Sequence, residues 1–88
     1  MSNSSVELTF YTAPWCAACR DVKPWVEEQA RRTAAQMRVV NIDDEPGEAQ
    51  ALGLRGVPAV ALRRDGEVVD LILSTQIRGR LPAALGGL

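Results

Sequence analysis

Both cysteines of the chain fall in one short run, Trp15-Cys16-Ala17-Ala18-Cys19. Two intervening residues put the sulfurs about one helical turn apart, close enough to bridge after a small backbone adjustment. The pair can therefore serve as a dithiol, as a disulfide or as half of a metal site. If the run opens a helix, Cys16 stands at its N-terminus, where unpaired N–H groups and the helix dipole favour a thiolate. Cys19 then lies one turn in, more buried and better protonated. This asymmetry suits thiol–disulfide exchange: the exposed, more acidic sulfur attacks a disulfide, and the second resolves the mixed disulfide. An ordinary thiol of pKa about 8.5 is only a few per cent ionised at pH 7, whereas one near 7 is about half ionised.

Metal binding is the main competing chemistry. A closed zinc site needs four ligands, and the chain has two Cys and no His. A dimer pooling two pairs, or a carboxylate-assisted site, would be required, so no metal ligand is assigned. A metal-binding or redox-sensing module whose cysteines are not turned over stays open as an alternative. A purely structural disulfide closing so small a loop would remove little chain entropy.

The elements that must position the pair are readable in order. Val6-Glu7-Leu8-Thr9-Phe10-Tyr11 is rich in β-branched and aromatic residues and predicts a strand. Thr12-Ala13-Pro14 breaks it, and a helix is expected from about Cys16. Val22, Val26, Gln29, Ala30 and Thr33 recur at helical spacing, with Lys23, Glu27 and Arg31 on another face. Pro24 interrupts that pattern, removing a backbone donor, so a kink is expected there. Met37–Ile42 predicts a second strand, and Asp43-Asp44-Glu45-Pro46 a helix start, with the helix ending near Gly53. Pro58–Leu62 and Val68–Leu73 predict strands around an Asp65-Gly66 type I′ hairpin. A last helix is expected from about Ile77 to Leu85, ended by Gly86-Gly87. Trp25, beside the apolar helical stripe, is expected in the core, and Tyr11 is expected to serve packing.

The order is βαβ followed by ββα. Strands joined by a helix pair in parallel with a right-handed crossover, and the hairpin pair is antiparallel. The fold class is therefore α/β, a four-stranded mixed sheet flanked by about three helices.

Size and charge narrow the classes of function. At 88 residues there is room for one domain, residues 6–88, behind a flexible N-terminus, residues 1–5. Such a chain buries roughly 60–65% of its unfolded surface, so its core is thin. A net charge of -1 gives no reason to expect nucleic acid or an anionic membrane as partner. All but one of the 10 basic residues are Arg; without a Gly-rich phosphate loop they read as solvated surface. No apolar stretch approaches the ~18 residues of a membrane span. The polar start, Met1-Ser2-Asn3-Ser4-Ser5, lacks the regions of a secretory signal. The expected location is the cytoplasm, where a C-x-x-C pair is more often catalytic or metal-binding than structural.

From about Val6 onward the chain resembles the thioredoxin superfamily. The resemblance rests on Trp15-Cys16-x-x-Cys19 after a strand, on Pro24, on Asn41-Ile42-Asp43, on Gly53-Leu54-Arg55-Gly56-Val57-Pro58, and on the Asp65-Gly66-Glu67-Val68 hairpin. It implies a thiol–disulfide oxidoreductase that reduces protein disulfides, with Cys16 and Cys19 as the catalytic pair. It implies no cofactor beyond the redox-active Cys16–Cys19 disulfide. Val57-Pro58 would be a cis peptide facing the cysteines, which agrees with the tolerance of X-Pro for cis and with a proline bringing no N–H to the thiols. Trp15, Val57, Pro58, Ser74 and Thr75 would meet the substrate, while Pro14 and Pro24 would shape the site. Implied partners are disulfide-bearing proteins and, as electron donor, thioredoxin reductase or glutathione; a monomer is expected.

Two positions depart from the family pattern. Phe10 stands where thioredoxins carry a buried acid, and Val39 where they carry the neighbouring lysine. Their joint absence implies a re-packed apolar floor beneath the cysteines. Phe10-Tyr11-Thr12-x-Pro14 resembles a glutaredoxin instead, so a glutathione-dependent glutaredoxin is a further alternative. Gly56, in place of the threonine of the glutaredoxin Thr-Val-Pro tripeptide, speaks against it. Family potentials span about −270 to −120 mV, and Ala17-Ala18 does not fix where in that range this pair lies.

Overall fold

The computed structural model describes residues 6–87; the expected flexible segment, residues 1–5, lies outside them. The elements run β1 (Val6–Thr12), α1 (Ala17–Arg32), β2 (Gln36–Asn41), α2 (Pro46–Ala51), β3 (Ala59–Arg64), β4 (Glu67–Leu73) and α3 (Ile77–Gly86). A single 3-10 turn, Ser74–Gln76, leads from β4 into α3. The sheet order is β2-β1-β3-β4. β1 pairs with β2 in parallel and with β3 antiparallel, and β3 pairs with β4 antiparallel. This is the expected mixed sheet, a thioredoxin-like fold.

Strand alternation splits the core across the two faces of the sheet. Leu8, Phe10, Val60, Leu62 and Ile72 point to one face, where Val22, Val26 and Ala30 of α1 and Ile77, Leu81 and Leu85 of α3 cover them. Tyr11, Val40, Ala59 and Ala61 point to the other and pack with Leu52, Leu54 and Leu71. Full burial of a Leu or Phe contributes about 1.5–3 kcal/mol, so the two helices on the first face carry most of the stabilisation.

Asp65 and Gly66 both adopt positive φ, at 55° and 88°, as a type I′ turn demands. The helix α1 runs unbroken through Pro24. Its buried stripe is Cys19, Val22, Val26 and Ala30. Thr33, expected in that stripe, is instead the exposed C-cap, with its hydroxyl bonded to the Gln29 carbonyl at 2.9 Å. Trp25 packs against the core as expected. It is half-buried at the edge of the core, with the Arg78 guanidinium 5.4 Å from its ring centroid. A large ring on a helix flank gains from a cation over its face as well as from apolar contact.

Candidate active site

β1 and α1 meet in a tight turn that sets the first sulfur. The Cys16 N–H donates to the Ala13 carbonyl at 3.1 Å, and Arg20 Nη1 donates to the Pro14 carbonyl at 3.0 Å. Pro14 thereby opens the turn that follows the strand and offers α1 an anchor. Cys16 is the N-cap of α1, extended at φ −100° and ψ 102°. Its Sγ accepts the N–H of Cys19 at 3.1 Å, the capping role that Ser or Asp oxygens more often fill. The two sulfurs form a disulfide, with Cα atoms 5.3 Å apart, inside the usual range for a bridge.

Cys16 is 7% exposed and Cys19 1%. The expected order is kept, although the first sulfur is largely sheltered rather than open. An N–H aimed at Sγ and the positive end of the helix would both stabilise charge on Cys16 once the bond is reduced.

Val57-Pro58 is a cis peptide. The Val57 carbonyl oxygen lies 3.7 Å from Cys16 Sγ. Val57 packs against both core clusters and is therefore held from both faces of the sheet. Behind Pro58, its carbonyl accepts the Ser74 N–H at 2.8 Å, tying the loop to the end of β4. Two clefts meet at this point. One, about 260 Å³, is lined by Ala18, Asp21, Pro58, Ser74, Thr75 and Arg78. The other, about 480 Å³, is lined by Arg55, Gly56, Val57, Pro58, Leu73 and Ser74. Leu73, 47% exposed, and Trp15, 65% exposed, add apolar surface nearby.

The structure thus brings together Cys16, Cys19, Val57 and Pro58, with Ser74 and Thr75 on the clefts that meet at Pro58. Trp15 adjoins Cys16 in the chain, and its indole N–H donates to Asp43 Oδ2 at 3.1 Å. Asp43 is placed in turn by Asn41, whose Oδ1 accepts its N–H at 2.9 Å. Reading Asp43 only as a helix-start signal missed this contact; the Asn41-Ile42-Asp43 match was the available clue. Pro24 is exposed within α1, about two turns beyond Cys16.

Beneath the pair, Phe10 is fully buried and forms the apolar floor that its position implied. Val39 corrects the other half of that expectation. It pairs with Phe10 across the parallel ladder but is 44% exposed, opening into a surface cleft with Thr12, Pro14, Arg20, Lys23 and Asn41. The reason is its strand. β2 is at the sheet edge and Val39 faces this open cleft, whereas its neighbour Val40, on the opposite face, is buried with Tyr11, Ala59 and Ala61.

On the opposite face, Tyr11 does more than pack. Its buried hydroxyl donates to Glu48 Oε2 at 2.7 Å. The same carboxylate meets Arg38 at 2.5 Å and Arg63 at 3.6 Å, and Arg63 reaches the buried Thr9 at 3.0 Å. The Arg38 guanidinium holds the Glu48 carboxyl below its ordinary range, while burial first and Glu48 second push the Tyr11 hydroxyl upward. No local sequence signal joins these residues, because they come from three strands and α2. Among the described residues, no group of three or more His, Cys, Asp or Glu side chains gathers to hold a metal ion.

The family model described as thioredoxin matches residues 1–85. Thioredoxin 1 of Synechococcus elongatus is 36% identical over 75 residues, 83% of this chain and 70% of that protein. Thioredoxin of Pyropia yezoensis is 33% identical over 87 residues, 97% of this chain and 81% of its own length. Among solved structures, a point mutant of thioredoxin from Halobacterium salinarum NRC-1 superposes with a TM-score of 0.86 at 32% identity, covering 98% of this chain and 76% of that one. Mitochondrial thioredoxin 3 from Saccharomyces cerevisiae has the same TM-score at 17% identity, with 97% and 80% covered, and shares the fold. These relatives are thioredoxins rather than glutaredoxins, so the glutaredoxin alternative drawn from Phe10-Tyr11-Thr12-x-Pro14 is set aside.

Proposed function

The chain belongs to the thioredoxin family and is a thiol–disulfide oxidoreductase; from that premise we propose that it reduces protein disulfides, with Cys16 as nucleophile and Cys19 as resolving thiol. The observation that carries the assignment of roles is the capping geometry. Cys16 Sγ sits at the helix start and receives the Cys19 N–H, whereas Cys19 is more deeply buried.

In the reduced protein the Cys16 thiolate attacks one sulfur of a substrate disulfide. The substrate S–S bond breaks, a Cys16–substrate S–S bond forms, and the other substrate sulfur leaves as thiolate. Cys19, losing its proton, then attacks Cys16 Sγ. The mixed disulfide breaks, the Cys16–Cys19 bond forms, and the second substrate thiol is released. Two electrons pass from the protein pair to the substrate. Phe10 puts no carboxylate beneath the pair, so water takes the Cys19 proton in this reading.

Trp15 shields the nucleophile and offers an apolar contact. The backbone of Val57 pairs with an extended substrate segment across Pro58, and Ser74 and Thr75 form the far rim. Pro14 and Pro24 shape the turn and the helix. The protein's own disulfide is its only redox group, and thioredoxin reductase is the electron donor in preference to glutathione. The working form is a single-domain monomer, residues 6–88, in the cytoplasm. No described helix is long and apolar enough to cross a membrane.

The test has two arms. NADPH with thioredoxin reductase is expected to recycle the oxidised protein during reduction of a protein disulfide. Equilibration against a glutathione buffer is expected to give a reducing potential. A potential above about −150 mV would make the pair an oxidant and overturn the reading.

A further inference from the structure

Ser74 is one of the few non-glycine residues with positive φ among those described, at 41°. A Cβ is disfavoured in that region, and such outliers concentrate at binding sites where the surrounding fold holds them. Here the holding contacts are visible. The Ser74 N–H is taken by the Pro58 carbonyl at 2.8 Å, and the Ser74 carbonyl accepts the N–H of Ile77 at the start of α3. The one backbone donor is thus used inside the fold, so a donor to a ligand at this position must come from the side-chain hydroxyl.

Its place is equally specific. Ser74 and Pro58 are the residues common to the two clefts, one running toward Thr75 and Arg78 and the other toward Leu73 and Arg55. Ser74 is also exposed. A glycine would adopt the same backbone without penalty and would leave the clefts continuous. Serine in its place puts a Cβ and a hydroxyl at the junction.

Building on the disulfide-exchange reading, we infer that Ser74 is a specificity-determining residue. Its side chain divides the groove and selects extended substrate segments with a small residue, such as Gly, beside the reacting cysteine. The Cβ excludes bulkier neighbours by contact, and the hydroxyl hydrogen-bonds the segment's backbone. The substrate class is therefore a disulfide in a flexible, glycine-rich stretch rather than one flanked by large apolar side chains.

The test uses two synthetic disulfide peptides, with Gly or with Leu on both sides of the cysteine. The rate of mixed-disulfide formation is measured in a Cys19→Ser background, alone and combined with Ser74→Gly or Ser74→Ala. This rate reads groove selection whether the pair works as reductant or oxidant, so failure of the reductase reading shows separately, in the potential. The parent is expected to favour the Gly peptide by about tenfold, the low end for steric discrimination in a pocket. Ser74→Gly is expected to bring the two rates within about twofold and to melt about 4 °C higher. Ser74→Ala keeps the Cβ, so it should retain the preference while both rates fall about threefold for the lost hydrogen bond. No preference in the parent, an unchanged preference in Ser74→Gly, or its collapse in Ser74→Ala would each overturn the assignment.

Discussion

The backbone N–H of Cys19 donates to Cys16 Sγ at 3.1 Å, so in the proposed exchange the residue that resolves the mixed disulfide also holds the attacking sulfur. One helical turn does both. The contact needs only that α1 begin at Ala17, which follows from the turn that Pro14 opens and Arg20 clamps.

That contact predicts unequal reactivity in the reduced protein. Iodoacetamide should alkylate Cys16 ahead of Cys19 by roughly tenfold or more, because thiolate character and access govern the rate. Peptide mapping after limited alkylation reads the order. Equal labelling would mean that the cap does not distinguish the sulfurs.

Substrate capture should depend on which cysteine is removed. Cys19→Ser is expected to accumulate mixed disulfides with substrate proteins, since nothing resolves them. Cys16→Ser should accumulate none. Non-reducing gels of each variant mixed with an oxidised protein decide it, and efficient capture by Cys16→Ser would reverse the two roles.

Phe10 and Val39 should separate sharply in stability despite being ladder partners. Phe10→Ala removes a fully buried ring and should cost about 3–5 kcal/mol, enough to unfold much of a domain this small. Val39→Ala, on the exposed edge, should stay within about 0.5 kcal/mol. Urea midpoints test both. A large loss at Val39 would place it back in the floor beneath the cysteines.

The Glu48 network sets a pH dependence with two signs. Glu48 titrates below its ordinary 4.5, mainly through Arg38. The unfolded chain therefore takes up the proton first as pH falls. The stabilisation is present above about pH 4.5 and is lost as pH drops through the folded value. Tyr11 titrates above 10.0, mainly through burial, so its contribution is complete below pH 10.0 and is lost as pH rises through the folded value. Glu48→Gln should flatten the acid side of the stability profile. Tyr11→Phe should flatten the alkaline side and cost about 0.5–1.5 kcal/mol at neutral pH. Thermal melts from about pH 3 to about pH 11 measure both, and profiles parallel to the parent would show that the network carries no such linkage.

Much of the fold was written locally. Asp65-Gly66 specified its turn because both residues tolerate positive φ, and Pro46 and Gly53 bracketed α2 because proline fixes its φ at a helix start while glycine accepts the positive φ just past the end. The Cys16-x-x-Cys19 spacing named the chemistry, since a single helical turn brings those sulfurs within bonding reach. Thr33 and Val39 were less legible. Periodicity says which way a residue faces, but not whether another element reaches far enough to cover it.

What the sequence determined by itself was the reactive pair, the order of elements and the mixed sheet, all of which depend on neighbours in the chain. Tertiary structure alone decided that Val57 meets Cys16 and Ser74 meets Pro58, that Asp43 holds Trp15, and that Tyr11, Glu48, Arg38 and Arg63 share one network. Those contacts join residues distant in sequence. Their partners are chosen by the register of the strands and the packing of the helices on them, which no local pattern encodes.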